Sequence, residues 1–472
     1  MLSIIGLIVP LIHVTGLLMA ADAIMRARTP QGAIAWACAL GLFPYLAVPM
    51  YLVFGRNKFY GYANARRARD RRIHAIVCDL TEQAPLYRGT VHGQDGYATL
   101  EAIARSPFTR GNRLELLIDG PATFDAIFAG IERAQNYILL QFYIVRDDEV
   151  GRDLQQRLVA KARNGVRVYF LYDEIGSHSL PRRYIETLRQ AGVMMRAFHT
   201  RKGRRNRFQL NFRNHRKIVI VDGREAYVGG SNVGDEYMGR SKRFGRWRDT
   251  HVKVTGPAVQ PVQLAFLEDW HWATSDVPEL NWQPHAEPNA DQNVLVVRSS
   301  PADELETCGL YFVQAIGMAR ERLWIASPYF VPDQQLVTAL QLAALRGVDV
   351  KILLPAIPDH LLVYLSTYAY IDEVGAPGIR FYRYQGGFLH QKVILVDDCL
   401  ASVGTPNFDN RSIRLNFEIS MLSADREFAA AVAEMLEGDL EHCELAPRHA
   451  LAKQPFWFRL AVRVARLAAP VQ

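Results

Sequence analysis

Cysteine is scarce in this chain, and the few cysteines present are scattered. Cys38, Cys78, Cys308, Cys399 and Cys443 are odd in number and lie far apart in the sequence. No Cys-x-x-Cys pair or Cys/His cluster occurs, which excludes a disulfide framework and a zinc site of the usual spacing. No cluster of carboxylates suits another metal ion. We expect free thiols in a reducing compartment, no metal and no cofactor.

Charged residues are absent from two stretches near the N-terminus, residues 2–21 and 32–54. At the helical rise per residue, the first alone extends about 30 Å, one hydrocarbon thickness. The pattern predicts a two-span membrane anchor over residues 1–58. A cleaved signal peptide is disfavoured, because no Lys or Arg precedes the first stretch and a second stretch follows at once. A hairpin that lies within one leaflet stays open as an alternative.

The distribution of basic residues predicts on which side of the membrane the chain lies. Seven Lys or Arg residues fall between positions 56 and 72, whereas only Arg26 and Arg28 lie between the two apolar stretches. Cytoplasmic segments carry such an excess, so we predict that the segment after the second stretch, and the chain that follows it, lies in the cytoplasm. The net charge of +7 and the pI near 9.1 favour an anionic partner, either nucleic acid or an acidic membrane surface.

One short pattern occurs twice and is the most informative feature of the sequence. His-x-Lys-x4-Asp stands at His215–Asp222 and again at His390–Asp397. Each copy is followed, at the same spacing, by a turn of small residues that ends in an asparagine, Asn232 or Asn407. Seven matched positions in two copies are not expected by chance and indicate an internal duplication.

The remainder of the sequence predicts an α/β fold. With 472 residues, 49% of them hydrophobic, the chain is long enough for two or three domains. Apolar runs alternate with helical stretches after position 113, which favours βαβ units and a largely parallel sheet. We expect two similar α/β/α lobes related by a pseudo-twofold axis. The predicted boundaries are an anchor over 1–58, a basic polar linker over 59–112, lobes over 113–290 and 291–447, and a basic amphipathic C-terminal helix over 448–472.

The residue types of the motif suit a phosphodiester. Side chains two apart on a strand share a face, so each His points the same way as its Lys. One imidazole attacks phosphorus and the other protonates the leaving oxygen, while lysines and asparagine amides hold the non-bridging oxygens. The predicted catalytic residues are His215, Lys217, Asp222, His390, Lys392 and Asp397, with Asn232 and Asn407 in support. For Asp222 and Asp397, a structural role in fixing the following turn stays open.

The doubled motif resembles that of the phospholipase D superfamily and, more narrowly, the bacterial cardiolipin synthases. The likeness extends nearly from end to end. In the anchor it is carried by Arg28–Pro30, Ala35–Trp36, Pro44–Tyr45 and Tyr51–Arg56. In the two halves it is carried by Arg213–Lys217, Gly229–Tyr237, Trp247–His251, Asn407–Ser412 and Asn416–Glu418.

The resemblance implies transphosphatidylation. A histidine attacks one phosphatidylglycerol and releases glycerol, and a second phosphatidylglycerol takes the phosphatidyl group to give cardiolipin. By analogy, His215 is the nucleophile and His390 the acid. The resemblance also implies that Glu418 orients His215 and that Asp249 orients His390, and the alternative that either carboxylate only braces a core arginine stays open.

Other functions share some of these features. A hydrolase with water as acceptor, or a synthase with phosphatidylethanolamine as donor, needs the same residues. A nuclease would need a groove and aromatic platforms for a nucleic-acid strand, and the sequence offers membrane spans instead. A non-catalytic adaptor is disfavoured because both motifs are intact. The predicted partners are anionic phospholipids, phosphatidylglycerol first, and the membrane, with no nucleic acid.

Two basic segments suggest contact with lipid headgroups. Residues 201–217 contain eight Arg or Lys residues and abut the first motif, which predicts a headgroup-binding lip with Arg205, Arg207 and Arg213. A solvated loop is the alternative. The segment after Pro455 has the pattern of an amphipathic helix, which predicts either an interfacial helix or one that docks on the second lobe.

Overall fold

The computed structural model of the chain describes residues 2–27, 29–55, 58–67, 70–91, 96–199, 211–375, 377–447 and 451–472. Helices and strands are numbered in chain order. The anchor contains three helices, α1 (Leu2–Arg26), α2 (Pro30–Leu42) and α3 (Pro44–Phe54). They pack through small residues such as Ala23 and Ala47, and the Tyr51 hydroxyl donates a hydrogen bond to Asp22 at 3.0 Å.

The predicted two-span anchor has three helices, because the second apolar stretch is divided in two. Phe43 adopts a non-helical conformation (φ −130°, ψ 52°) and separates α2 from α3. The cause is Pro44, because a proline ring disfavours the helical conformation of the preceding residue. Among the described residues only one segment, Ile8–Arg26 within α1, is long and apolar enough to cross a membrane as a single helix.

Residues 59–112, expected to be a polar linker, are structured and partly buried. They form α4 (Tyr60–Arg67), α5 (Arg71–Gln83), a 3₁₀ turn at Ala84–Tyr87 and α6 (Tyr97–Ala104). Phe59 stacks on Phe212 with ring centroids 5.0 Å apart, and Tyr62 meets the edge of Phe417 at 4.8 Å. The few apolar residues of this basic segment did not predict burial from the sequence. Nevertheless, Phe59 and Tyr62 belong to the core between the two halves of the molecule.

The Tyr62 hydroxyl offers a test of this packing. It is buried and donates a hydrogen bond to Asp269 at 2.8 Å. We expect Tyr62→Phe to lower the free energy of unfolding by about 1–3 kcal/mol, because a buried carboxylate loses a donor that water does not replace. Thermal unfolding in detergent measures the effect. Tyr60→Phe, at an exposed position of the same helix, is the matched control, and equal melting temperatures for the two variants would contradict the assignment.

Two halves of similar architecture follow. The first contains strands β1 (Thr109–Ile118), β2 (Tyr137–Phe142), β3 (Arg167–Asp173), β4 (Met194–Phe198), β5 (Arg213–Asn214), β6 (Ile218–Val221), β7 (Glu225–Gly229), β8 (Trp247–Arg248) and β9 (Thr250–Thr255). Its helices are α7 (Asp119–Arg133), α8 (Glu149–Arg163), α9 (Arg182–Gln190) and α10 (Val259–Thr274), with a 3₁₀ turn at Asp235–Met238.

The second half repeats this order. Its strands are β10 (Gln292–Ser299), β11 (Arg322–Ala326), β12 (Phe330–Val331), β13 (Asp349–Pro355), β14 (Arg380–Tyr384), β15 (Phe388–Leu389), β16 (Val393–Val396), β17 (Leu400–Gly404), β18 (Phe408–Asp409), β19 (Asn416–Ser423) and β20 (Cys443–Leu445). Its helices are α11 (Thr307–Met318), α12 (Gln334–Leu345), α13 (Leu361–Val374), α14 (Asn410–Arg414), α15 (Arg426–Glu441) and α16 (Phe456–Leu467), and a 3₁₀ turn at Ala469–Val471 follows.

The two halves are lobes whose sheets join edge to edge. The order is β4-β3-β2-β6-β7-β9-β1 in the first lobe and β14-β13-β11-β16-β17-β19-β10 in the second, with β20 outside β14. Strands β1 and β10 pair antiparallel, with Thr109 opposite Val294. The matched strand orders meet at this pair, as a pseudo-twofold axis requires. The α/β fold with two similar lobes is therefore as predicted.

The sheet is mixed, and the expectation of a largely parallel one is wrong. Along the main strand order of the described residues, the parallel pairs are those among β2, β3 and β4 and those among their counterparts β11, β13 and β14, and the other adjacent pairs are antiparallel. The His-bearing segment instead feeds a hairpin, because β6 returns at once as the antiparallel strand β7. A parallel return would need a crossover of a dozen or more residues, and only residues 222–224 separate these strands.

Helices cover both faces of the sheet, and the three largest hydrophobic cores of the described residues lie beneath them. Strand β6, Ile218–Val221, is buried on both faces, which explains its unbroken β-branched sequence. One core lies under α7, α8 and α9 of the first lobe, and another under α11, α12 and α13 of the second. The third lies between the lobes, where residues of α10 and α15 pack with strand residues of both. The two His motifs border this central core.

Candidate active site

Each His-x-Lys segment crosses from one lobe to the other. Strand β5, just before His215, pairs with β19 of the second lobe, and β15, just before His390, pairs with β8 of the first. The backbone N–H of His215 donates to the Phe417 carbonyl at 3.0 Å, and that of His390 donates to the Arg248 carbonyl at 2.8 Å. The histidines therefore lie in these crossings, not on the apolar strands where the sequence placed them.

Each histidine contacts a carboxylate of the opposite lobe. His215 Nδ1 lies 3.0 Å from both oxygens of Glu418, and His390 Nδ1 lies 2.8 Å from Asp249 Oδ2. All four side chains are buried. A carboxylate at Nδ1 fixes the tautomer with its proton there, which leaves Nε2 for chemistry. The cross-pairing that the resemblance implied is present in the structure, and the arginine-bracing alternative does not apply, because Arg248 pairs with Asp439 and Arg216 with Asp269.

The two carboxylates are held firmly. Glu418 accepts hydrogen bonds from Thr405 at 2.5 Å, Ser412 at 2.9 Å and Asn416 at 3.1 Å. Burial raises the pKa of Glu418, but His215, Lys217 and Thr405 together outweigh burial and bring the pKa to about 2. Burial also raises the pKa of Asp249, but His390 and Lys392, with a smaller effect of His251, lower it to about 2. Both groups are carboxylates at neutral pH.

A glycine permits the approach of Asp249. A Cβ atom on Gly230 would lie only 1.9 Å from Asp249 Oδ1. Because no side chain fits there, the small-residue turn after the first motif is required for the His390 partnership. The backbone of this turn therefore lies directly against the Asp249 carboxylate.

Both imidazoles are neutral at neutral pH. Burial lowers the pKa of His215 to about 4, and Glu418 opposes this shift only in part. Burial and the nearby Lys392 lower the pKa of His390 to about 4, against the opposing effect of Asp249. A neutral imidazole is the form that attacks phosphorus. The protonated form required of an acid is favoured when a phosphate anion enters, since a negative charge raises the pKa of a nearby histidine.

The two lysines of the motifs lie beside the imidazoles. Lys217 Nζ donates to the His215 carbonyl at 2.7 Å, and Lys392 Nζ donates to the His390 carbonyl. Burial lowers the pKa of Lys217 well below its usual value, and lowers that of Lys392 to about 8. The two ammonium groups repel each other across the lobe interface, so an anion placed between them stabilises both charges.

The pKa of Lys392 predicts an alkaline limit to activity. We expect kcat/KM to fall as pH rises through about 8, because the free protein then loses a positive charge that holds phosphate. A guanidinium keeps its proton, so Lys392→Arg should retain a larger share of its pH 7 activity at pH 9 than the native protein does. A pH profile of both proteins measures this. An equal pH 9 to pH 7 ratio would contradict a role for Lys392 charge.

The two motif aspartates are not brought to the histidines. Asp222 follows β6, about 16 Å from Lys217 by strand rise, and accepts hydrogen bonds from the backbone N–H groups of residues 135–137 at 2.7–2.8 Å. Asp397 does the same for residues 320–322 at 2.8–3.1 Å. The assignment of both as catalytic is therefore corrected. Each fixes the start of a neighbouring strand, not the turn that follows it.

The two asparagines differ in what they contact. Asn232 accepts a hydrogen bond from the Ile144 N–H at 3.1 Å and donates one to the Tyr237 hydroxyl at 3.0 Å. Asn407 Oδ1 is buried and has no hydrogen-bond partner among the described residues. An amide's oxygen and nitrogen exchange places by a simple flip, so Asn407 is suited to present an N–H to a phosphate oxygen.

Sequence reasoning missed the layer beneath the histidines. Asp269 accepts hydrogen bonds from Arg216 at 2.8 Å, Asn214 at 2.9 Å and Gln141 at 2.8 Å. Asp439 lies in the corresponding place of the other lobe and accepts hydrogen bonds from Arg248 at 2.5 Å and from Gln391 at 2.6 Å. The middle residues of the two motifs, Arg216 and Gln391, are thereby held alike. Nothing in the spacing marked these two aspartates, since both lie on long helices far from the motifs.

The surroundings of the two imidazoles differ. Trp247 lies against His390 with ring centroids 5.0 Å apart, and Tyr143 lies against His215 at 5.1 Å.

Arg213, a predicted headgroup contact, is partly buried two residues before His215 and donates to the Phe212 carbonyl at 2.8 Å. The other two predicted contacts, Arg205 and Arg207, lie outside the described residues.

Comparison with known proteins identifies the family. The model of the family described as cardiolipin synthase, PLD-like domain, matches residues 127–270 and 312–440, more than half of the chain. Cardiolipin synthase A of Pseudomonas putida strain GB-1 is 47% identical over 99% of this chain and 98% of its own length. Cardiolipin synthase A of Pseudomonas aeruginosa strain PAO1 is 48% identical over 99% of this chain and 96% of its own length.

The chain belongs to the cardiolipin synthase family of the phospholipase D superfamily. The family predicted from the doubled motif is thereby confirmed. A second family model, described as Phospholipase_D-nuclease N-terminal, matches residues 16–56 of the anchor. Cardiolipin synthases are enzymes of phospholipid transfer, and this member, with its apolar α1, is membrane-associated.

A solved structure shows the same fold. The crystal structure of phosphatidylserine synthase from Haemophilus influenzae Rd KW20 covers 80% of this chain and 100% of its own length, with a TM-score of 0.59 and 15% sequence identity. At that identity the likeness concerns the fold alone.

Proposed function

We propose that this cardiolipin synthase transfers a phosphatidyl group from one phosphatidylglycerol to a hydroxyl of a second, with release of glycerol. The observation that carries the proposal is the cross-lobe pairing of His215 with Glu418 and of His390 with Asp249. Two buried imidazoles, each oriented by a carboxylate of the other lobe and accompanied by a lysine, form one site suited to a two-step displacement at phosphorus.

In the first step, His215 Nε2 attacks the phosphorus of the donor lipid. The bond from phosphorus to the headgroup glycerol oxygen breaks, and this oxygen takes a proton from His390. Free glycerol leaves, and the phosphatidyl group stays on His215. Lys217, Lys392 and the amide of Asn407 bind the non-bridging oxygens, whose charge is greatest in the transition state.

The second step reverses the roles around the same phosphorus. A glycerol hydroxyl of the second phosphatidylglycerol gives its proton to His390, and its oxygen attacks phosphorus. The phosphorus–nitrogen bond breaks, which returns neutral His215 and forms cardiolipin. The same residue serves as acid and then as base because the second step retraces the first with a different alcohol.

The product distribution tests the reaction. Purified full-length protein is given vesicles of phosphatidylglycerol labelled in the headgroup glycerol, and the lipids are identified by mass. We expect cardiolipin and labelled glycerol in equal amounts. Phosphatidic acid with glycerol would instead make the protein a hydrolase. A parallel reaction with labelled phosphatidylethanolamine and unlabelled phosphatidylglycerol tests the other donor, since release of ethanolamine without glycerol, together with cardiolipin, would make phosphatidylethanolamine the donor and phosphatidylglycerol only the acceptor.

We further propose that the lobes lie on the cytoplasmic side of the inner membrane and that Arg205, Arg207 and Arg213 bind lipid headgroups beside His215. The basic cluster after the anchor supports the orientation. Cys78 on α5 is exposed and lies beyond the anchor, so it reports the side. A membrane-impermeant maleimide should label it in inverted vesicles and not in intact spheroplasts. Cys78→Ser is the control for labelling elsewhere, and labelling in spheroplasts would contradict the orientation.

A further inference from the structure

Among the described residues, those that contact helix α16 from the second lobe lie along one of its faces. Val462 and Ala465 are buried, and Val462 packs with Ala369 of α13. Phe458 meets the edge of Tyr368 at 5.4 Å. Arg466 forms an ion pair with Glu373 and lies over the ring of Tyr370. These contacts fix the rotation of the helix, so its outward face is defined.

The outward face is apolar. Phe456, Trp457, Leu460, Val464 and Leu467 are between 52% and 80% exposed. At 100° per residue they fall within a sector of about 100°. Leu361 and Leu362, in the first turn of the supporting helix α13, are exposed as well. Single exposed apolar residues are ordinary, but a continuous stripe of large ones marks a surface that meets an apolar partner.

The charge around the stripe indicates the partner. No Asp or Glu occurs between Ala446 and Gln472. Lys453, Arg459 and Arg463 are exposed, and the two arginines follow one edge of the apolar sector. An apolar stripe beside basic residues fits the interface of an anionic bilayer, where rings enter the acyl boundary and cations meet headgroup phosphates. Because the anchor already holds the chain at a membrane, the effective concentration of bilayer at this surface is high, and a weak affinity is enough for it to bind.

We propose that the outward face of α16, with the first turn of α13, docks on the surface of an anionic bilayer. The face is joined to the active site by a short path. The backbone N–H of Arg411 in α14 donates a hydrogen bond at 2.8 Å to the carbonyl of Gln472, the residue directly after the 3₁₀ turn that follows α16. The neighbouring residue of α14, Ser412, donates to Glu418, the partner of His215. Docking therefore gives the active site a second attachment to the bilayer. This attachment is at the C-terminal end of the sequence, whereas the anchor is at the N-terminal end.

Trp457 is a built-in reporter of docking. Full-length protein is placed in vesicles of phosphatidylglycerol and phosphatidylcholine, with lipids brominated in the acyl chain or with aqueous iodide as quencher. The chain has seven tryptophans, so the Trp457→Phe spectrum is subtracted to isolate this one. We expect Trp457 to be quenched by brominated lipid and protected from iodide. Quenching by iodide alone would place the face in water. Protection from both quenchers would mean that protein covers it, whether a second copy or another segment. Either result overturns the proposal.

Activity gives a second test, which rests on the proposed function. We expect Arg459→Glu with Arg463→Glu to lower the rate on bilayer phosphatidylglycerol by at least about fivefold, from the loss of cation–headgroup attraction. Leu460→Asp should do the same. Neither change should alter the rate on dispersed short-chain phosphatidylglycerol. Leu445→Asp, at an exposed leucine of β20, is the matched control and should leave both rates unchanged. Equal losses on both substrates would contradict docking, whereas inactivity of the native protein would refute only the proposed function, because quenching of Trp457 needs no turnover.

Discussion

Replacing either motif histidine with asparagine should lower kcat for cardiolipin formation by at least about 10³-fold, because residues that act as one catalytic unit fail together. The amide of asparagine resembles in shape the part of the imidazole ring that carries Nδ1, and it keeps an N–H that can donate to Glu418 or Asp249. We therefore expect both His215→Asn and His390→Asn to fold. Turnover of labelled phosphatidylglycerol and thermal melting of the same preparations measure the two effects. His178→Asn, at an exposed position, is the control.

The two variants should differ with an activated donor. A phosphatidyl ester of p-nitrophenol releases a leaving group that needs no proton. If His215 is the nucleophile, His390→Asn should still cleave this ester and accumulate a phosphatidyl group on His215, whereas His215→Asn should not react. The opposite result would exchange the two roles. Substantial cardiolipin formation by either variant would contradict the two-imidazole mechanism.

Removing the charge of an orienting carboxylate is expected to have the second largest effect. Glu418→Gln and Asp249→Asn should each lower kcat by about 10²–10⁴-fold, as when the carboxylate of a histidine dyad is neutralised in other enzymes. The amide keeps the shape of the side chain but no longer fixes the Nδ1–H tautomer or stabilises the imidazolium. Because neither carboxylate contacts the substrate in the proposed mechanism, KM should change little.

The matched control is an exposed glutamate of the same lobe. Glu434→Gln on α15 should leave kcat unchanged. A loss below tenfold in both Glu418→Gln and Asp249→Asn, with normal melting temperatures, would mean that the cross-lobe contacts only support the fold. A fall in melting temperature that matches the loss of activity would lead to the same conclusion.

The repeated motif was enough to predict the parts of the site that depend on the types of residue in the motif and on the symmetry of the two lobes. Two copies of His-x-Lys required two equivalent lobes, and the lobes required an interface at which His215 and His390 meet. The partners Glu418 and Asp249 came from the resemblance, because no spacing rule places a residue about 200 positions away beside His215. The crossing strands β5 and β15 make that contact, and two-residue strands leave no periodic pattern in a sequence.

Features that depend on tertiary context were not predicted. The role of Asp222 lies in backbone N–H groups of residues 135–137, which approach only when β2 pairs with β6. Tyr62 lies in a basic segment whose composition resembles a linker, and its burial is decided by the aromatic cluster around Phe417. Asp269 and Asp439 are single acidic residues on long helices, and their importance follows from the buried arginines beneath the two motifs. A lone Phe43–Pro44 step divided the second apolar stretch, although proline is tolerated within other membrane helices.

The stereochemical course at phosphorus tests the central claim most directly. The donor is phosphatidylglycerol made chiral at phosphorus by one sulfur, and the configuration of the product diester is determined by ³¹P NMR. Two successive in-line displacements, first by a histidine and then by the acceptor hydroxyl, predict overall retention of configuration. Inversion would mean that the second lipid attacks the first directly, and no phosphatidyl group would then pass through a histidine.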